Sequence, residues 1–164
     1  MTSTETKAGS YAEVPIQKST LVAAPVERAF QVFTEGMSTW WPLATYKIGK
    51  VDAKSVVIEP FVGGRWFERG VDGSECEWGR VRMWDPPRRL VLTWEISSQF
   101  QHDPAIQTEL EIRFSPEGTS TRVDLEHRLL HYYGDKAVEM RGIFDSEQGW
   151  TGLLNAFAAR ASAS

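Results

Sequence analysis

The sequence predicts an α+β fold in which a C-terminal helix packs on one face of a curved antiparallel sheet. Three observations carry this. The predicted elements run strand, helix pair, six strands, helix. The strands alternate, most cleanly where Val123, Leu125, His127 and Leu129 stand against Arg122, Asp124, Glu126 and Arg128. Trp150, Leu153, Leu154, Phe157 and Ala161 form one stripe on the last helix.

In chain order, residues 1–14 are polar and rich in small residues and read as a flexible tail, with one domain over 15–164. Residues 16–23 form the first strand, with Ile16, Lys18, Thr20 and Val22 on one face. Pro25 suits the first position of a helix reaching Glu35, and Val26, Ala29, Phe30 and Phe33 make its apolar side. Gly36 reads as a left-handed cap. Residues 37–42 form a second short helical turn stopped by Pro42, and 43–50 form a loop. The next strand, 54–61, contains Pro60, which marks an edge or an early end. Strands over 65–69, 75–84 and 90–97 follow, separated by turns at Gly70–Gly73 and Asp85-Pro86-Pro87. Trp78 and Trp84 share one face while Val81 and Met83 take the other, and a bulge near Gly79 reconciles them. After a polar loop at 98–105, strands over 106–114 and 122–129 flank a turn at Ser115–Gly118. Residues 131–144 look irregular, with a helical turn near Lys136–Arg141. The final helix spans 146–161, with Asp145 and Gln148 resembling a capping box.

Composition narrows function. The chain has 164 residues and a net charge of −4, which disfavours nucleic acid as partner. Cys76 is the one cysteine, so an intrachain disulfide and a cysteine-rich metal site are excluded, and the expected compartment is the cytoplasm. Neither a secretory signal nor a membrane-inserting run is read. Aromatic residues reach 12%, which implies a bulky core or a cavity lined with rings. Four of the seven tryptophans lie between Gly63 and Trp94.

Four segments resemble a known family: Ala24–Phe30 entering the first helix, Gly63-Gly64-Arg65-Trp66, Gly79-Arg80-Val81 running to Trp84–Leu90 and Trp94, and Gly149-Trp150. Together they resemble the SRPBCC superfamily, also called the START or birch-pollen-allergen-like fold. Within it they are most similar to proteins of the activator of heat-shock protein 90 ATPase homologue 1-like type. The resemblance covers about Pro15 to Ala161. It implies a helix-grip fold: a curved seven-stranded antiparallel sheet around a long C-terminal helix, with two short helices after the first strand. It further implies a cavity between sheet and helix for an apolar or amphipathic small molecule. Polyketide-cyclase-like catalysis and a chaperone-associated, stress-response role are the alternatives it brings.

The candidate ligand-binding residues are Trp40, Trp41, Trp66, Glu68, Trp78, Trp94, His127, Trp150, Leu154 and Phe157. His127 replaces an apolar residue on an inward strand face, so it reads either as a core histidine with one partner or as a polar anchor in a pocket. Glu68 shares a face with Trp66. If Trp66 points inward, Glu68 does too and needs a partner such as Arg80 or His127. If Phe67 points inward instead, Glu68 is solvated. His127 and Glu68 are also the two acid/base candidates should the protein be an enzyme. Trp40 and Trp41 cannot both point inward from a helix, so the pair reads either as a packed lid or as a lid with one ring half exposed at the cavity mouth. His127 and His131 would stand roughly 13 Å apart on a strand at about 3.3 Å per residue. His102 lies in a loop. No metal or cofactor is expected. Monomer and homodimer both remain open.

Overall fold

The computed structural model describes residues 14–163; most of the predicted tail lies outside the described residues. Seven antiparallel strands form one sheet: β1 (Ile16–Val22), β2 (Ala53–Ile58), β3 (Arg65–Gly70), β4 (Glu75–Asp85), β5 (Arg89–Trp94), β6 (Thr108–Glu117) and β7 (Ser120–Arg128). Their spatial order is β1-β7-β6-β5-β4-β3-β2. β2 through β7 therefore form a continuous meander, and β1 returns to pair with β7. β2 stops before Pro60 and lies at a sheet edge, where a residue without an N–H costs no ladder bond.

The sheet curls around the helices. α1 (Val26–Phe33) buries Ala29, Phe30, Val32 and Phe33. A single turn, Met37–Thr39, follows it. After β7 come a tight helical segment (Leu130–Lys136), α2 (Ala137–Asp145), a wide turn (Glu147–Thr151) and α3 (Gly152–Ser162), which buries Leu153, Leu154, Phe157 and Ala161. This is the helix-grip architecture.

Two bulges in β4 aim the aromatic residues. Trp66 pairs with Gly79 and Phe67 with Glu77, so Trp78 is the extra residue. Val81 pairs with Leu92 and Met83 with Val91, so Arg82 is a second extra residue. Each insertion shifts the alternation by one. Trp78, Val81 and Trp84 therefore share the inner face, and Val81 departs from the single-bulge expectation. Gly79 is required here: a Cβ would stand 1.8 Å from the Thr93 carbonyl oxygen.

Several local expectations are corrected. Gly36 is not left-handed (φ −91°); the chain turns directly into the Met37 turn. The segment expected to be irregular contains α2, and Leu129 ends β7 in a left-handed conformation (φ 64°). Asp145 and Gln148 form no capping box, because Asp145 bonds Lys18 at 2.7 Å and Ser146 occupies the cap with its hydroxyl turned back to the Ile143 carbonyl (2.7 Å). The final α-helix starts six residues later than read, at Gly152, because Gly149 (φ −100°, ψ −132°) breaks the chain. A Cβ on Gly149 would lie 2.3 Å from the Phe144 carbonyl oxygen, so glycine lets the chain fold back and drop Trp150 into the core.

The outer face of the sheet is charged. Arg128 contacts Glu109, Glu111 and Glu126 at 3.1, 2.6 and 2.9 Å. Phe67 also points outward, under the guanidinium groups of Arg65 and Arg69 at 4.2 and 5.3 Å from its ring centre. That cover explains how adjacent rings on β3 can both be buried.

Candidate functional site

Six of the tryptophans meet between the sheet and the helices. Trp41 is central, with ring centres 5.1 Å from Trp78, 5.8 Å from Trp40, 6.2 Å from Trp150, 6.3 Å from Trp66 and 6.5 Å from Trp94. Most of these pairs are tilted or edge-on, the arrangement favoured by ring quadrupoles. Trp84 stands apart against Phe30.

Beside this cluster is a cavity of about 490 Å³. That is within the range of small-molecule sites. Trp41, Trp78, Trp94 and Trp150 form much of its wall. The loop at 45–48 closes one side, Ile96 and Phe100 another, and Ile143, Phe144, Gln148 and Leu153 the helical side. Phe100 and Ile143 are half exposed and mark the mouth.

Trp40 and Trp41 are both buried, which agrees with the packed-lid reading and not with the half-exposed one. The helical turn ends at Thr39, so their side chains are not bound to helical spacing. Trp40 turns toward Phe33 and Phe157 and donates Nε1–H to the Val32 carbonyl (2.9 Å). Trp41 turns to the cavity and donates to the Tyr46 carbonyl (2.9 Å).

Glu68 points inward with Trp66. Its partners are neither Arg80 nor His127. Oε1 accepts from Ile48 N–H (2.6 Å) and Trp78 Nε1–H (2.9 Å), and Oε2 from Gly49 N–H (3.0 Å). Arg80 is on the outer face, 2.8 Å from Glu77. Glu68 therefore fastens the 45–49 loop to the sheet and fixes the Trp78 ring.

His127 is fully buried and makes two bonds. Its Nδ1 accepts from Trp150 Nε1–H at 3.0 Å. Its Nε2 lies 2.9 Å from Thr108 Oγ1, and that hydroxyl donates to the Trp94 carbonyl at 2.8 Å. With the hydroxyl proton committed to Trp94, Nε2 carries the imidazole proton and donates it to Thr108. Both nitrogens are thus satisfied in the neutral ring. Burial pushes its pKa down from 6.5 to about 3.

The predicted residues therefore fall into three groups. Trp41, Trp78, Trp94 and Trp150 face the cavity; Glu68 and His127 stand behind it, each holding the indole of a wall tryptophan. Trp40, Trp66, Leu154 and Phe157 are buried in the surrounding core. Trp66 Nε1 and Trp94 Nε1 are buried without an acceptor in hydrogen-bond geometry among the described residues.

The wall residues outside the sequence-based set come mainly from the 45–48 loop, Phe100 and the 143–149 segment. Leu153 and Ile96 had a signal, the apolar stripe and the inward strand face. The loops had none.

On the outer face, His102 Nε2 lies 3.0 Å from Glu95 Oε1 and 3.5 Å from Glu77 Oε2. One histidine and two carboxylates are gathered there. Thr93 donates to Glu95 at 2.5 Å, and Arg80 neutralises Glu77. The cluster ties the 98–105 loop to the sheet. Among the described residues, no helix is long and apolar enough to cross a membrane.

The curled seven-stranded antiparallel sheet with its C-terminal helix is the helix-grip fold of a START-like domain. The sequence profile of the activator of Hsp90 ATPase homolog 1-like proteins matches residues 23–162, and the chain belongs to that family. Among solved structures, it is similar to the anthrahydroquino-gamma-pyrone synthase Txn09, solved as a complex: 40% identity, TM-score 0.62, covering 90% of this chain and 97% of that one. It is also similar to the self-sacrificing resistance protein CalC from Micromonospora echinospora: 31% identity, TM-score 0.68, covering 92% and 95%. The Aha1 dimer from Colwellia psychrerythraea, at 15% identity and TM-score 0.61 over 91% and 96%, shares the fold. No curated protein sequence matches the chain.

Proposed function

We propose that this protein binds a planar, polycyclic aromatic small molecule in the cavity between the sheet and the helical segment 143–153. The observation that carries this is the wall itself: four tryptophans around about 490 Å³ with few polar groups. Flat ring faces suit a flat ligand, and their orientations are held by hydrogen bonds to Glu68, His127 and Tyr46, so little ordering is left to complete on binding. The similarity at 40% identity to a synthase of an anthrahydroquinone pyrone supports the same ligand class.

A dihydroxyanthraquinone is the probe of choice. Its titration will quench tryptophan fluorescence saturably at one molecule per chain. Ile143→Trp, placed at the half-exposed mouth, will weaken binding at least about tenfold, equal to about 1.4 kcal/mol. Absent saturation, or an unchanged affinity in the variant, would refute the placement.

The same similarity favours a second reading, that the protein guides ring closure of such a molecule. His127 and Glu68 have their polar atoms engaged within the protein, so guidance would come from holding a reactive conformation rather than from proton transfer by these two. Turnover that survives His127→Gln, once folding is verified, fits that version; turnover abolished by it points to acid/base work.

A further inference from the structure

The charge on the cavity wall narrows the ligand class. The chain carries 22 acidic residues and a net charge of −4, yet no aspartate or glutamate lines the cavity among the described residues. Lys47 is the single charged residue on the wall.

The Lys47 ammonium is only partly used. It donates to the Gly49 carbonyl at 2.6 Å. Three N–H donors belong to an ammonium group, so two remain. Glu68 binds the other end of the same glycine, through Gly49 N–H, yet Lys47 forms no ion pair with it or with any other acid among the described residues. Lys47 is half-buried on the loop that closes the cavity, and the exposed Gln148 amide is also on the wall. An apolar site with one half-buried lysine on its wall holds an anionic oxygen better than a neutral one, because the low surrounding polarity strengthens the attraction.

We infer that the ligand is an aromatic anion, a fused-ring body carrying a phenolate or carboxylate that pairs with Lys47 while its rings lie among the tryptophans. This rests on the ligand-binding reading above and adds the charge.

The test uses two probes of nearly equal shape, an anthraquinone carboxylate and the matching carboxamide, on the full chain at pH 7.5. Tryptophan quenching gives both affinities. The native protein will bind the carboxylate about tenfold more tightly than the carboxamide. Lys47→Met will bring that ratio close to one by weakening the carboxylate alone, and Lys47→Arg, which keeps the charge, will retain most of the preference. Raised salt will narrow the ratio in the native protein and leave it unchanged in Lys47→Met. Equal affinities in the native protein, or a preference that persists in Lys47→Met, would overturn the charge assignment while leaving the cavity reading intact. If neither probe binds, the cavity reading falls, and this inference with it.

Discussion

Glu68→Leu will lower the unfolding free energy by about 4 kcal/mol, measured by urea denaturation at pH 7.5. The substitution leaves three buried donors, Ile48 N–H, Gly49 N–H and Trp78 Nε1–H, without their acceptor. An unmet buried donor costs about 1–3 kcal/mol. Leucine recovers part of the loss by adding apolar contact, and the 45–49 loop recovers more by moving to water. Glu68→Gln keeps the shape and one carbonyl oxygen, so it will cost less, about 2 kcal/mol, and the ranking itself is part of the prediction. The second measurement is local. Amide exchange at Ile48 and Gly49 will accelerate beyond what the global destabilisation explains, because these amides lose their own partner. The same loop is a cavity wall, so affinity for the aromatic probe will fall as well. Native stability and unchanged amide protection in Glu68→Leu would mean that the loop is held by something other than this carboxylate.

Glu68 also shows where reading the sequence stops. The face of β3 was ambiguous because Trp66 and Phe67 are adjacent rings. Alternation alone cannot say which is inward when a cation–π cover makes the outer ring nearly as buried as the inner one. Its partners were out of reach for a different reason: two are backbone amides in a loop with no periodicity, and the third depends on a bulge that turns Trp78 inward. The larger frame was legible because it is repetitive. Strand alternation and the stripe from Trp150 to Ala161 are local patterns read by counting, and together with the four family segments they lead to the helix-grip fold. Within the site, the tryptophans could be named from their number and faces. Lys47, Phe100 and Gln148 could not, since each reaches the wall through a loop or a break in a helix. The start of α3 is hidden for the same reason, as the fold-back at Gly149 leaves the apolar stripe undisturbed while it interrupts the backbone.

Acid will destabilise the native protein through His127, and the window is set by the two protonation states. In the unfolded chain the imidazole takes its proton near 6.5; in the native core it does so only at about 3. Between these values the unfolded state binds more protons, so stability is intact above 6.5 and falls as pH drops toward 3. At pH 5 the deficit relative to pH 7.5 will be about 2 kcal/mol, and it will grow to the order of 4 kcal/mol near the lower limit. The native ring resists the proton because Nδ1 already accepts from Trp150 and Nε2–H already donates to Thr108. A proton on Nδ1 would confront the indole N–H and charge a group with no carboxylate bonded to it. His127→Gln isolates this contribution. Its amide oxygen can still accept from Trp150 and its amide nitrogen can still donate to Thr108, but it does not titrate. The variant will be less stable at pH 7.5 through imperfect packing, yet between pH 7.5 and 5 it will lose about 2 kcal/mol less than the native protein. Every other side chain is the same in both proteins and cancels in that difference. Parallel stability curves would show that the ring takes up its proton inside the folded core, and the hydrogen-bond chain from Trp150 through His127 and Thr108 to Trp94 would then have to break without unfolding. The cavity would register that break directly, since Trp150 and Trp94 both stand on its wall.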